Sequence, residues 1–213
     1  IANGGGAVYA PLGPTHLAVE DIAILRSLPN MTIIAPCDAD EMKRMMIQTL
    51  DWPHPIYIRL AKGGDPIVSR DDLGFEIGKG IVLKEPGEAL YITTGVMTQL
   101  ALNASGILHP KGISAGVLHI PTIKPLDKNT LKKYIPRVRA VVIIEEHTRI
   151  GGLGSAILEL CNDEMPEQAP KISRIGFPDR FADQYGSQNS LLEHWGITVE
   201  NVAKILEAKL ENR

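Results

Sequence analysis

Gly13-Pro14-Thr15-His16 combines a turn, a capping hydroxyl and an imidazole within four residues. Gly-Pro fixes a turn, and Thr15 can cap a helix that follows. His16 then stands at a helix start, where the partial positive charge of the N-terminus disfavours the imidazolium. A neutral imidazole there can donate to a substrate oxygen or accept a proton; the same histidine could equally just close the turn. Arg59 in "YIRLAKG" lies inside an apolar strand, with Lys62 three residues on. An arginine so placed needs an anionic partner or must reach solvent at the strand end. In open α/β sheets ligands collect at the carboxyl ends of strands. Arg59 and Lys62 are therefore candidate binders of a sugar phosphate or carboxylate, against the alternative of a structural ion pair.

Other patterns exclude more than they offer. "VVIIEEHTRIGGLGSAILEL" runs strand, glycine-rich loop, helix, but the third glycine of a dinucleotide fingerprint is absent. Gly154 and Ser155 read instead as a tight turn or close packing. Glu145, Glu146 and His147 end that strand; a solvated edge is expected, with a catalytic or interface role left open. His54, His109, His119 and His194 are scattered without i,i+4 pairing, so no metal site is expected. Cys37 and Cys161 lack any CxxC spacing and read as reduced core thiols of a cytosolic protein. Neither a GxSxG elbow nor a P-loop occurs.

The elements that would position these residues follow from periodicity. Residues 17–28 place Leu17, Ile22, Leu25 and Leu28 on one side of a helix, and "MTIIAP" is a short buried strand. "CDADEMKRMMIQTL" is a helix with Asp38 as N-cap, Asp40 and Glu41 in its first turn, and a buried stripe of Met42, Met45, Met46 and Leu50. "IYIRLA" is the next strand. Residues 63–88 are rich in Gly, Pro and Asp and read as a linker with a short hairpin at "FEIGKGIVLKE". Strands at "ALYITTG", "ISAGVLHI", "RAVVIIEEH" and "KISRIGFP" then alternate with helices, and "NSLLEHW" and "TVENVAKILEAKL" close the chain helically. The class is α/β: two three-layer α/β/α domains with mostly parallel sheets. The expected division is 1–66, a linker at 67–87, and 88–213. Gly4-Gly5-Gly6 reads as a mobile loop rather than a first element, so residues upstream are expected to be missing.

The chain has 213 residues, 44% hydrophobic and 22% charged, with a net charge of −3. That is an ordinary globular balance, and it speaks against a nucleic-acid or anionic-membrane surface. No apolar run reaches the roughly 18–20 residues of a membrane span, and no signal peptide is visible. A cytoplasmic location is expected.

Taken in order, the motifs resemble the transketolase family. "GPTHLAVEDIAILRSLPNMTIIAPCDADE" and "PIYIRLAKG" are similar to the pyrimidine-binding domain. "YITTG", "KPLD", "VVIIEEH", "GGLGSAILEL" and "RIGFPDRFADQYGS" are similar to the C-terminal domain. The resemblance implies a thiamine-diphosphate fold fragment followed by a transketolase C-terminal domain. It implies transfer of a two-carbon ketol unit between sugar phosphates, as in pentose phosphate metabolism, with the cofactor acting as the electron sink. By the same resemblance His16 faces the reacting carbon as donor or proton relay, and Arg59, with Lys62 second, binds the acceptor's phosphate.

The chain also departs from the family pattern. Leu12 stands where an aspartate usually precedes Gly-Pro-Thr-His, so the pattern of sugar hydroxyls recognised, or the size of the donor, is expected to differ. The family's catalytic glutamate and the aromatics that stack on the pyrimidine lie upstream of the histidine loop. The motif that holds Mg or Ca and the diphosphate lies in a separate N-terminal half. The expectation is a C-terminal section, inactive alone, that works with that half, fused or as a separate subunit, in a homodimer or α2β2 assembly. The alternatives are a 1-deoxy-D-xylulose-5-phosphate synthase, a 2-oxoacid dehydrogenase β chain, or a non-catalytic partner or regulatory protein with this fold.

Overall fold

The computed structural model describes residues 1–211. Two sheets dominate it, as expected. The first has the order β1 (Ala2–Asn3), β3 (Ile56–Leu60), β2 (Thr32–Ile34) and β7 (Thr122–Lys124). Its first three strands are parallel, and β7 runs antiparallel against β2. The second has the order β4 (Ile81–Lys84), β6 (Ala115–His119), β5 (Ala89–Thr93), β8 (Ala140–Thr148) and β9 (Lys171–Phe177). All its pairings are parallel except that of the edge strand β4. The helices are α1 (Asp21–Arg26), α2 (Ala39–Gln48), α3 (Met97–Leu108), α4 (Lys128–Tyr134), α5 (Leu153–Glu164), α6 (Gln188–His194) and α7 (Val199–Glu211).

Strand β5 and the apolar part of β8 are buried on both faces, which is why they read as continuous apolar runs. Alternation sends Tyr91, Val142 and Ile144 to one face, against α3 and α7. Leu90, Ile92, Val141 and Ile143 go to the other, against α4 and α5. Ile22, Ile33 and Ala35 from the first part of the chain enter that same second cluster. Each large apolar side chain contributes about 1.5–3 kcal/mol on burial, so the two sheets share a core rather than merely touching.

Several expectations need correction. The helix expected over 17–28 is only Asp21–Arg26, because Ala18 is held extended by Gly6: the two exchange backbone hydrogen bonds at 2.8 and 3.2 Å. Leu28 is exposed. Gly4, Gly5 and Gly6 are buried and follow a first strand, their N–H groups donating to Leu60 O and Ala18 O at 2.8–3.0 Å. Leu50 is 81% exposed and outside the stripe that Met45 anchors. In place of the hairpin there is a turn at 76–79, and β4 then crosses to pair with β6. Strand β7, which no local pattern announces, returns from the second half of the chain to extend the first sheet.

Candidate functional site

His16 ends a 3-10 turn, Pro14–His16, and is exposed. Its Nδ1 lies 3.0 Å from Thr15 Oγ1. The loop carrying it is held from both halves of the chain. Glu146 Oε1 accepts from Ala7 N at 2.8 Å and from Gln188 Nε2 at 2.8 Å. The Tyr185 ring lies against Gly13. Gly6, at φ +80°, leaves room for the Glu146 carboxylate; a Cβ there would sit 2.4 Å from Glu146 Cδ.

Arg59 is buried, and its guanidinium points inward. Nε donates to Asp21 Oδ2 at 2.7 Å, and one terminal nitrogen donates to Ala18 O at 2.7 Å and Glu146 O at 3.0 Å. Burial opposes charge on Asp21, but Arg59 and the Tyr57 hydroxyl, donating at 2.7 Å, hold the carboxyl below its usual range. The strand arginine thus has its anionic partner within the protein. Lys62 is exposed, on the rim of a cavity of about 410 Å³ at the carboxyl ends of β2 and β3. His16 does not line that cavity. Asp38 does, and it also caps α2. It accepts from Glu41 N, Val68 N, Ser69 N and Ser69 Oγ at 2.6–2.9 Å. Burial works against its charge, yet these donors bring it down to about 2.

The Glu145-Glu146-His147 run is not a solvated edge: all three side chains are at most 2% exposed. Glu145 turns back into the glycine-rich loop and accepts from Leu153 N at 2.7 Å and Gly154 N at 2.9 Å. The N-terminus of α5, where a dinucleotide phosphate would sit, is filled by the chain's own carboxylate. A Cβ at Gly152 would come within 2.0 Å of it, which explains the glycine there. Burial pushes Glu145 up to about 7. His147 donates from Nδ1 to Thr148 O at 2.7 Å and accepts at Nε2 from Ala23 N at 3.3 Å. Burial, with Arg59 nearby, drives it down to about 4, so it is a neutral strut between α1 and β8.

The scattered histidines also need correction. His119 is brought to Cys37 and Glu41, with their ligating atoms within 4.8 Å of one another and all three residues buried. Sequence offered half of this: Asp38-x-x-Glu41 has capping-box spacing, although Glu41 reaches back to Cys37 N (2.7 Å) rather than to the cap residue. Nothing in spacing could have supplied His119, 78 residues away. Cys37 and Cys161 are both buried and unpaired.

Two family models match the chain. The transketolase pyrimidine binding domain matches residues 5–64, and the transketolase C-terminal domain matches residues 78–202. The chain belongs to the transketolase family. A transketolase family protein of Sinorhizobium fredii is 42% identical over 92% of this chain and 57% of its own length. One of the subunits of an apulose-4-phosphate transketolase, from Phocaeicola vulgatus, is 33% identical over 94% of this chain and 63% of its own. A solved split-gene transketolase, described as an inactive β4 tetramer, superposes with a TM-score of 0.87 at 36% identity, over 98% of this chain and 65% of its own. The chain therefore spans less than two thirds of each. The transketolase family is one of thiamine-diphosphate enzymes. The residues present do not by themselves fit the cofactor's charged end. The cavity sets one cation, Lys62, against the carboxylates of Asp38 and Asp65, and Glu145 fills the glycine-rich helix start. Among the described residues no helix is long and apolar enough to cross a membrane.

Proposed function

We propose that the chain is the C-terminal section of a transketolase that transfers a two-carbon ketol unit between sugar phosphates. It acts with an N-terminal half that brings thiamine diphosphate and a divalent metal, Mg or Ca, and it is inactive alone. The assembly is a homodimer or an α2β2 complex. The observation that carries this reading is the exposed His16 on a loop hydrogen-bonded from both sheets; the N-terminal half would complete the surface around it.

His16 is the catalytic residue. In the tautomer in which Nδ1 accepts from Thr15 Oγ1, 3.0 Å away, Nε2 carries the proton and is a donor toward a substrate oxygen. Lys62 binds the acceptor phosphate. Arg59 serves the site from behind: by holding Ala18 O and Glu146 O it fixes the base of the histidine loop, and any contact of its own with the phosphate would require releasing Asp21. Leu12, 55% exposed, offers an apolar contact where a hydroxyl-binding acid is usual, so the donor presents less polar surface at that point.

Donor profiling of the reconstituted enzyme tests the reaction class. Turnover of ketose phosphates supports ketol transfer. Preference for pyruvate would replace it with a deoxyxylulose-phosphate synthase, and preference for branched 2-oxoacids with a dehydrogenase β chain.

A further inference from the structure

We propose that Cys37, Glu41 and His119 form a binding site for one zinc-class divalent ion that clasps the two sheets together. A thiol, a carboxylate and an imidazole are the donor set such ions take, three protein ligands leaving a fourth position for water. The three come from separate elements. Cys37 lies in the turn between β2 and α2, Glu41 in the first turn of α2, and His119 is the last residue of β6. Their ligating atoms lie within 4.8 Å of one another, so binding requires contraction of a cluster already assembled, not a refolding.

The surroundings are arranged as metal ligands need them. Thr98 Oγ1 donates to Gly95 O at 2.8 Å, so its 3.0 Å contact with His119 Nδ1 is a bond that the ring N–H donates. That fixes the tautomer from outside and turns the Nε2 lone pair toward Glu41, the outer-shell arrangement of metal-bound histidines. Nε2 then faces Glu41 Oε2 at 2.9 Å, two acceptors that need something positive between them, either a proton or a metal ion. Glu41 is fully buried, and its Oε1 has no hydrogen-bond partner among the described residues, a costly state for a carboxylate oxygen. Of the three, Cys37 lines the cavity at the ends of β2 and β3 and is the side from which an ion would enter; Glu41 and His119 lie buried behind it.

The test is a Co²⁺ titration of the chelator-treated full chain, without thiamine diphosphate. One equivalent should bind, with a thiolate-to-cobalt band in the near ultraviolet and intense tetrahedral bands in the visible. Zn²⁺ should abolish both bands and raise the melting temperature. Cys37→Ser should lose the near-ultraviolet band, and His119→Gln should weaken binding at least tenfold. Cys161→Ser, which keeps Cys37, should titrate like the wild type. Absence of the near-ultraviolet band in the folded wild-type chain overturns the proposal, whatever the variants do; so does a band that survives in Cys37→Ser. A proton alone would then bridge Glu41 and His119.

Discussion

His16 and His147 have opposite surroundings, one exposed and the other buried. His147 is sealed and held to about 4 by burial and by Arg59. Above about pH 6.5 it is neutral both folded and unfolded. As pH falls from there toward 4, the unfolded chain takes up a proton that the fold refuses, so its contribution to stability, about 3 kcal/mol, is progressively lost. Glu145, raised to about 7 by burial, behaves in the opposite sense. Between about 4.5 and 7 the unfolded chain releases a proton that the fold keeps, so stability from this group falls as pH rises. Denaturant titrations between pH 4 and 7 should show the difference between wild type and His147→Gln growing with pH. The difference between wild type and Glu145→Gln should shrink. Parallel curves for all three proteins would mean that neither group titrates as described. His16 is exposed, so its replacement should leave stability within about 0.5 kcal/mol.

At the scale of elements, the helices and strands that carry long apolar runs are legible in the sequence, and the joints are not. The α2 cap by Asp38, the central strands β5 and β8 and the last two helices all follow from local pattern, because propensity, capping and burial agree there. The glycine run at 4–6 is legible only from its neighbours. It is ordered because Glu146, 139 residues beyond Ala7, needs its carboxylate covered. Gly6→Ala should therefore destabilise by about 2–4 kcal/mol, by clash and by left-handed strain, which a melting curve would reveal. Leu50 escapes its expected place because a helical stripe does not say where the helix meets the core; Met45 is sealed and Leu50 lies past the end of the helix. Met45→Ala should cost about 2–5 kcal/mol, and Leu50→Ala under about 0.5 in the isolated chain. Equal costs would place Leu50 in the core after all. The candidate site divides in the same way. His16 and Lys62 are marked by local motif. The inward use of Arg59 and the Cys37–Glu41–His119 cluster depend on which strands become neighbours, which no spacing encodes.

For the whole molecule, the two sheets are not independent modules. Strand β7 from the second half completes the first sheet, Glu146 and His147 hold the histidine loop and α1, and Ile22 and Ile33 sit in the second sheet's core. The C-terminal part therefore holds the loop that carries His16, through Glu146, Gln188 and Tyr185. Ile150, Phe181 and Tyr185 stand 57–83% exposed, apolar surface of a kind that partner chains cover. The most direct test of the account is complementation. The chain is mixed with the N-terminal half of a split transketolase, thiamine diphosphate and Mg²⁺, and ketose-phosphate turnover is measured for wild type and His16→Ala. Neither half alone should turn over, the mixture should, and His16→Ala should lose about 10²–10⁴-fold in kcat with complex formation intact. Turnover by the isolated chain, or a His16→Ala mixture as fast as wild type, would contradict it.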